Sequence, residues 1–275
     1  MGLVARLNRT GGEIFASRYT IHKTAKVNMK SPTSSSGENF EILIKKRMKN
    51  FWGYGNLKSD IWFVGMEEGF DDTYETLYER FRVTADKQVI DISDDMKNCP
   101  DHMKWFQKGA PTQKTYRALI SVLLYIRNNK EATLEEIREY QIEKFGRLHA
   151  DHAILELMPL PSKSIRPEDW LYEDVDVAGL TSRSIYLEMY KPERVEALHK
   201  LIQEHKPKLV IFFSRTYADD WKKIAQTEFD DVIEKKLSIA KDHRTTYAMI
   251  PHATSFGVSS ADWVDIATKL QSEIK

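Results

Sequence analysis

Cysteine is almost missing from this chain: Cys99 is the only one in 275 residues. One thiol excludes an internal disulfide, an all-cysteine zinc site and a cysteine-ligated iron–sulfur cluster. It also makes a reducing cytoplasm the simplest compartment. Net charge is absent too, with 41 basic against 41 acidic side chains. Without an overall basic surface, any contact with nucleic acid has to rest on a local patch. No apolar run approaches the roughly 20 residues that span a bilayer. No membrane partner is therefore expected, and no secretory apolar segment stands at the N-terminus. The patterns G-x-G-x-x-G and G-x-x-x-x-G-K-[ST] do not occur, which argues against a dinucleotide enzyme or a P-loop NTPase. The residues call for no cofactor and no resident metal, and nothing demands an oligomer.

What is present divides at a serine-rich stretch. Residues 1–30 carry six Lys/Arg and one Glu, and Ser31–Gly37 reads SPTSSSG, a linker composition. Residues 1–37 thus read as a basic, flexible arm, a transit peptide or an added extension. Lys45, Lys46, Arg47 and Lys49 form a second basic cluster, read equally as a DNA patch or a solvated face. From residue 38 on, helical and extended patterns alternate. Phe40, Leu43, Ile44, Arg47 and Phe51 have helical spacing, and so do Tyr74, Leu77, Tyr78 and Phe81. Thr112 is placed to cap a helix to Arg127, and Thr133 with Glu136 fits a capping box. Pro192 reads as a helix start, and Ser259 or Ser260 as the cap of the last helix. Residues 84–111 read as a long polar loop. Short, double-sided apolar runs at Asp60–Val64, Ala153–Leu157, Lys208–Phe213 and Thr245–Ile250 read as four buried strands. The expected fold is α/β: a single domain over 38–275, an αβα sandwich around a mostly parallel four-stranded sheet.

Three strand ends carry polar chemistry: GMEEGF at Gly65–Phe70, LELMPLPSK at Leu155–Lys163, and IPHATSFGVSS at Ile250–Ser260. Parallel strands bring such ends to one edge, where open α/β sheets bind ligands. These motifs resemble those of the uracil-DNA glycosylase superfamily. GMEEG is similar to its first motif, with Glu67 in the Asp/Asn place and Glu68 in place of proline. HATSF is similar to its last, with His252 as the histidine and Phe256 at the wedge position. Glu156 stands nearest the family's base-reading residue, with Met158 the alternate. The departures from these motifs bear on uracil specificity rather than on the fold, and the single cysteine rules out the iron–sulfur members.

The resemblance implies a monofunctional DNA N-glycosylase that flips a base from duplex DNA and leaves an abasic site. Glu67, or Glu68, would stabilise the sugar cation and orient water, and His252 would donate to the leaving base. Met66, Phe70, Glu156 and Met158 would contact the base. Phe256 would fill the vacated stack, while Thr254, Ser255, Lys163, Arg166, Arg215 and Arg244 would touch DNA. An ionised Glu156 only accepts hydrogen bonds, which suits the amine of a cytosine, such as glucosylated hydroxymethylcytosine in phage DNA. Each residue also has a plain reading: the acids paired with arginine, His252 structural, Phe256 packed on the last helix. Uracil or thymine-mismatch repair, a non-catalytic sensor of modified DNA, and a metal-assisted nucleotide hydrolase using His149, Asp151, His152 and Glu156 remain alternatives.

Overall fold

The computed structural model describes residues 39–70 and 73–274. The arm and linker over residues 1–37 lie outside that range, as do residues 71–72 just before the helical spacing that begins at Tyr74. The four expected strands are present and adjacent: β2 (Ile61–Gly65), β4 (His152–Glu156), β5 (Leu209–Phe213) and β8 (Thr246–Ile250). All four are parallel, in the order β4-β2-β5-β8.

Among the described residues, the expectation of four strands is corrected to eight. Short β1 (Gly53–Gly55) and β3 (Val89–Ile90) extend the sheet beside β4, and β7 (Leu237–Lys241) and β6 (Asp230–Ile233) extend it beside β8. The order is β3-β1-β4-β2-β5-β8-β7-β6, parallel in the middle, with antiparallel pairs at β1–β4, β7–β8 and β6–β7. β1 carries no strand pattern because it is Gly-Tyr-Gly, and it lies against β4 so closely that a Cβ at Gly53 would meet the Ile154 carbonyl oxygen at 2.1 Å.

Described helices cover both faces. On one, Trp62 meets His205 of α7 (Arg183–His205), and Phe212 stacks on Trp221 of α8 (Ala218–Ala225). On the other, Phe63 meets the His152 ring, which packs on Tyr140 of α6 (Leu134–Glu143) and on Phe145. Alternation along β2 sends Trp62 and Phe63 to opposite sides, and both are fully buried. The capping chemistry is local. Thr133 and Glu136 form the expected box, and Ser259 caps α9 (Ser260–Glu273) in a box with Asp262. Gln113, one residue past Thr112, caps α5 (Lys114–Asn128).

Two other expectations change. Pro192 is inside α7, whose N-cap is Ser182, ten residues before the expected start. Residues 84–111 are not one irregular loop. They contain β3, α3 (Ile92–Met96) and α4 (Pro100–Met103), and they bury Ile90, Ile92, Asp95, Met96 and Phe106. The remaining helices are α1 (Phe40–Asn50) and α2 (Tyr74–Thr84), which meet through Phe40 and Tyr74 with ring centroids 4.4 Å apart. Among the described residues, no helix is long and apolar enough to cross a membrane.

Candidate active site

Parallel pairing brings the ends of β4, β2, β5 and β8 to one edge of the sheet. Gly65 and Glu156 are register partners, so their substituents share a face. A Cβ at Gly65 would meet Glu156 Oε2 and Phe213 Cζ at 2.6 Å each. The missing side chain is therefore what lets the Glu156 carboxyl and the Phe213 ring lie over β2. The Phe213 ring centroid is 6.2 Å from that of His252, so this row links the motif after β2 to the motif after β8. Beyond Gly65 the GMEEGF segment runs beside the loop after β4. Met158 N–H donates to Met66 O (2.6 Å), Ser162 N–H to Glu68 O (3.0 Å) and Phe70 N–H to Ser162 O (3.2 Å). Met66, Phe70 and Met158 are buried as a result, and Phe70 stacks on His102.

The two adjacent acids point to different partners. Glu67 Oε1 accepts from Arg183 Nε (2.9 Å) and Nη2 (2.6 Å), while its buried Oε2 has no partner among the described residues. Burial raises the Glu67 pKa against the pull of Arg183. Arg183 opens α7, and it also interacts with Tyr217 just after β5. Glu68 Oε2 accepts from Arg80 Nη2 (2.6 Å) and lies 3.8 Å from Arg47 Nη2. Arg80 in turn holds Asp95 (Nε to Oδ2, 2.8 Å), which also accepts from Tyr54 OH (2.9 Å). Burial opposes the charge on Arg80, but Asp95 and Glu68 outweigh it and raise its pKa well above the ordinary value. Glu68 is thus one member of a buried, charge-compensated cluster.

Glu156 has no such compensation. It is 7% exposed, and Oε2 has no partner among the described residues. Burial first, and then Glu68 and Glu67, raises its pKa well above the ordinary 4.5. The carboxyl is therefore held toward its neutral form, which donates as well as accepts. This corrects the acceptor-only reading of Glu156. Burial and the neighbouring Glu68 also raise the pKa of the Tyr116 hydroxyl, with Glu156 a smaller contributor. Tyr116, Arg80, Arg183 and Tyr217 belong to no motif, so nothing in the sequence singles them out for this edge.

The loop after β8 is ordered around its histidine. The Thr254 N–H donates to His252 Nδ1 (3.3 Å), and the Thr254 hydroxyl lies 2.8 Å from the same nitrogen. With Nδ1 accepting, the ring proton belongs on Nε2. Burial lowers the His252 pKa and keeps the ring neutral. Ser255 N–H closes the turn onto His252 O (2.8 Å). Phe256 does not pack on α9 but is fully exposed, and Gly257 follows with φ +80°. Phe256 and Arg215 line a cavity of about 400 Å³, and Ala253 borders another of about 580 Å³ beside α5 and α9. Neither cavity is lined by Glu67 or Glu156.

The expected phosphate contacts do not all converge. Arg215 follows β5 but is bonded to Ser238 Oγ (2.7 Å) and Asp231 Oδ1 (3.1 Å). Lys163 and Arg166 are exposed beyond β4, with Arg166 Nε 3.3 Å from Asp169. Arg244 precedes β8, so it belongs to the opposite edge. The grouping of His149, Asp151, His152 and Glu156 also separates. His152 Nε2 accepts from Gly146 N–H (2.9 Å), and Nδ1 lies 3.2 Å from Tyr140 OH. Asp151 pairs with Arg127, and Glu156 stands at the other end of β4. No group of three or more His, Cys, Asp or Glu side chains among the described residues is arranged to hold a metal ion. Compared with known proteins, the chain matches no family model and no curated protein.

Proposed function

We propose that this chain is a monofunctional DNA glycosylase that excises a flipped base and leaves an abasic site. The observation that carries the reading is Glu67. Arg183 fixes one of its oxygens and favours the carboxylate, while the other oxygen has no partner in the described chain. Such a group can orient an attacking water and stabilise positive charge on the sugar. His252, neutral with its proton on Nε2, would donate to the departing base, and exposed Phe256 would occupy the gap left in the stack. Glu68, tied into its arginine cluster, would position the motif rather than react.

Glu156 would read the base as a neutral acid. Its O–H and C=O can pair with N3 and the amine of a cytosine, or with O4 and N3–H of a uracil or thymine. The proposed substrates are therefore a modified cytosine, which would suit defence against phage DNA, or a uracil or thymine in repair. A non-catalytic sensor of modified DNA is the second reading. It is favoured by the arginine held against each of Glu67 and Glu68.

The test is abasic-site formation on duplexes containing glucosylated hydroxymethylcytosine, uracil, a thymine mismatch or no lesion, by wild type and Glu67→Gln. Excision from one modified duplex, lowered about 10²–10⁴-fold in Glu67→Gln, is the expected result. Tight binding without excision would select the sensor. Neither binding nor excision on any duplex would overturn both readings.

A further inference from the structure

We propose that a cavity between α1 and α7 is a second binding site, for a small organic anion with a flat apolar body. The cavity has a volume of about 380 Å³, and Trp52, Tyr186, Tyr190 and Arg194 line it, with Lys45 and Lys49 at its rim. It belongs to the α7 side of the sheet, away from the face that carries the Glu156 carboxyl.

Arg194 is the reason for the anion. Only 6% exposed, it donates from Nε to Leu157 O (2.8 Å) and from Nη2 to Phe51 O (3.0 Å) and Glu156 O (3.2 Å). All three acceptors are neutral carbonyls. Among the described residues no carboxylate comes within ion-pairing distance, and Nη1 makes no hydrogen bond. A buried guanidinium stays charged and is costly without a countercharge. Elsewhere in this chain buried arginines meet carboxylates, as Arg80 meets Asp95 and Glu68. Lys45 and Lys49, one helical turn apart on α1, likewise have no ion-pair partner among the described residues, and only Glu193 opposes them at the rim.

The aromatic residues are the reason for the flat apolar body. The Arg194 guanidinium carbon lies 3.3 Å from the Trp52 ring centroid. The tyrosine hydroxyls are engaged within the chain: Tyr186 OH accepts from Leu160 N–H (3.3 Å), and Tyr190 OH donates to Ala178 O (2.6 Å). The half-buried Tyr190 ring is left to offer apolar surface, backed by the fully buried Tyr186 ring on which it packs. An aromatic carboxylate or sulfonate would match both halves, its ring against these faces and its charge toward Nη1 and the rim lysines. Because Arg194 also holds the Glu156 and Leu157 carbonyls, occupancy would brace the strand end that carries Glu156.

Calorimetric titration with 2-naphthoate, neutral 2-naphthylmethanol and inorganic sulfate tests the assignment. The carboxylate is expected to bind at least about tenfold more tightly than the alcohol, and sulfate alone not measurably. Ala197→Phe, which fills the cavity, should abolish binding, and the Lys45→Glu, Lys49→Glu double variant should weaken it about tenfold or more. Lys200→Glu, also on α7 but outside the cavity, should leave it unchanged. Matching thermal melts would show that each variant is folded. No binding of 2-naphthoate by the wild type, equal affinity for the alcohol, or full binding by Ala197→Phe would overturn the assignment.

Discussion

Two groups of buried carboxyls stand side by side at the end of β2, and their surroundings treat them in opposite ways. In the cluster that reaches α2, Glu68 and Asp95 meet the guanidinium groups of Arg80 and Arg47, and Tyr54 completes the bonding. Over Gly65, Glu156 has carboxylates for neighbours and no cation bonded to it. The same residue type is therefore paired with guanidinium groups in one place and, at the end of the neighbouring strand β4, left without a countercharge, where burial raises its pKa. Burial is common to both groups. What differs is whether a countercharge comes with it.

The strongest way to break this contrast is to remove the cation from the compensated side. Arg80→Met strands Glu68 and Asp95 in the interior and should cost about 3–5 kcal/mol of stability, read by urea denaturation. A loss no larger than that of a surface substitution would mean the cluster is not held by its charges. Glu68→Gln is milder, because an amide oxygen still accepts from Arg80. It should cost about 1–3 kcal/mol while base excision, if Glu67 is the reacting acid, continues.

Glu156→Gln sharpens the other side and has the smallest effect. An amide imitates a neutral acid, so stability at pH 5 should change by less than about 1 kcal/mol. The sign of its pH dependence follows from the raised pKa. The folded chain keeps this proton above the ordinary 4.5 at which an unfolded glutamate releases it. Unfolding therefore releases a proton, and wild-type stability relative to Glu156→Gln should fall as pH climbs from about 4.5 toward the folded value. The difference should be flat below that window. Denaturation midpoints of the two proteins from pH 4 to pH 8, about the range in which both remain folded, check the slope.

The central strands were legible because each is a short run buried on both faces, a pattern that needs no knowledge of its partners. The outer strands were not. β3 is two residues long, and β6 is Asp-Asp-Val-Ile with three of its four residues exposed. Pairing alone makes them strands. Pro192 misled for a similar reason: its preference for a first turn was overridden by a helix that begins at Ser182. At the site, the motifs located Glu67, Glu156, His252 and Phe256 on one edge, as parallel strands require. Their chemistry was not legible, because it depends on residues far along the chain. Arg183 is 116 residues from Glu67, and Asp95, inside the segment read as a loop, completes the cluster around Glu68. A glutamate's charge state is set by such neighbours, which is why the sequence alone implies an ionised Glu156.

The account turns on Glu156 being a neutral acid beside an ionised cluster. Carbon-13 NMR of the glutamate carboxyls, with the Glu156 signal assigned through Glu156→Gln, measures this directly. The account predicts a Glu156 carboxyl that keeps its proton well above the ordinary 4.5. A Glu156 signal that titrates at or below 4.5 would contradict it.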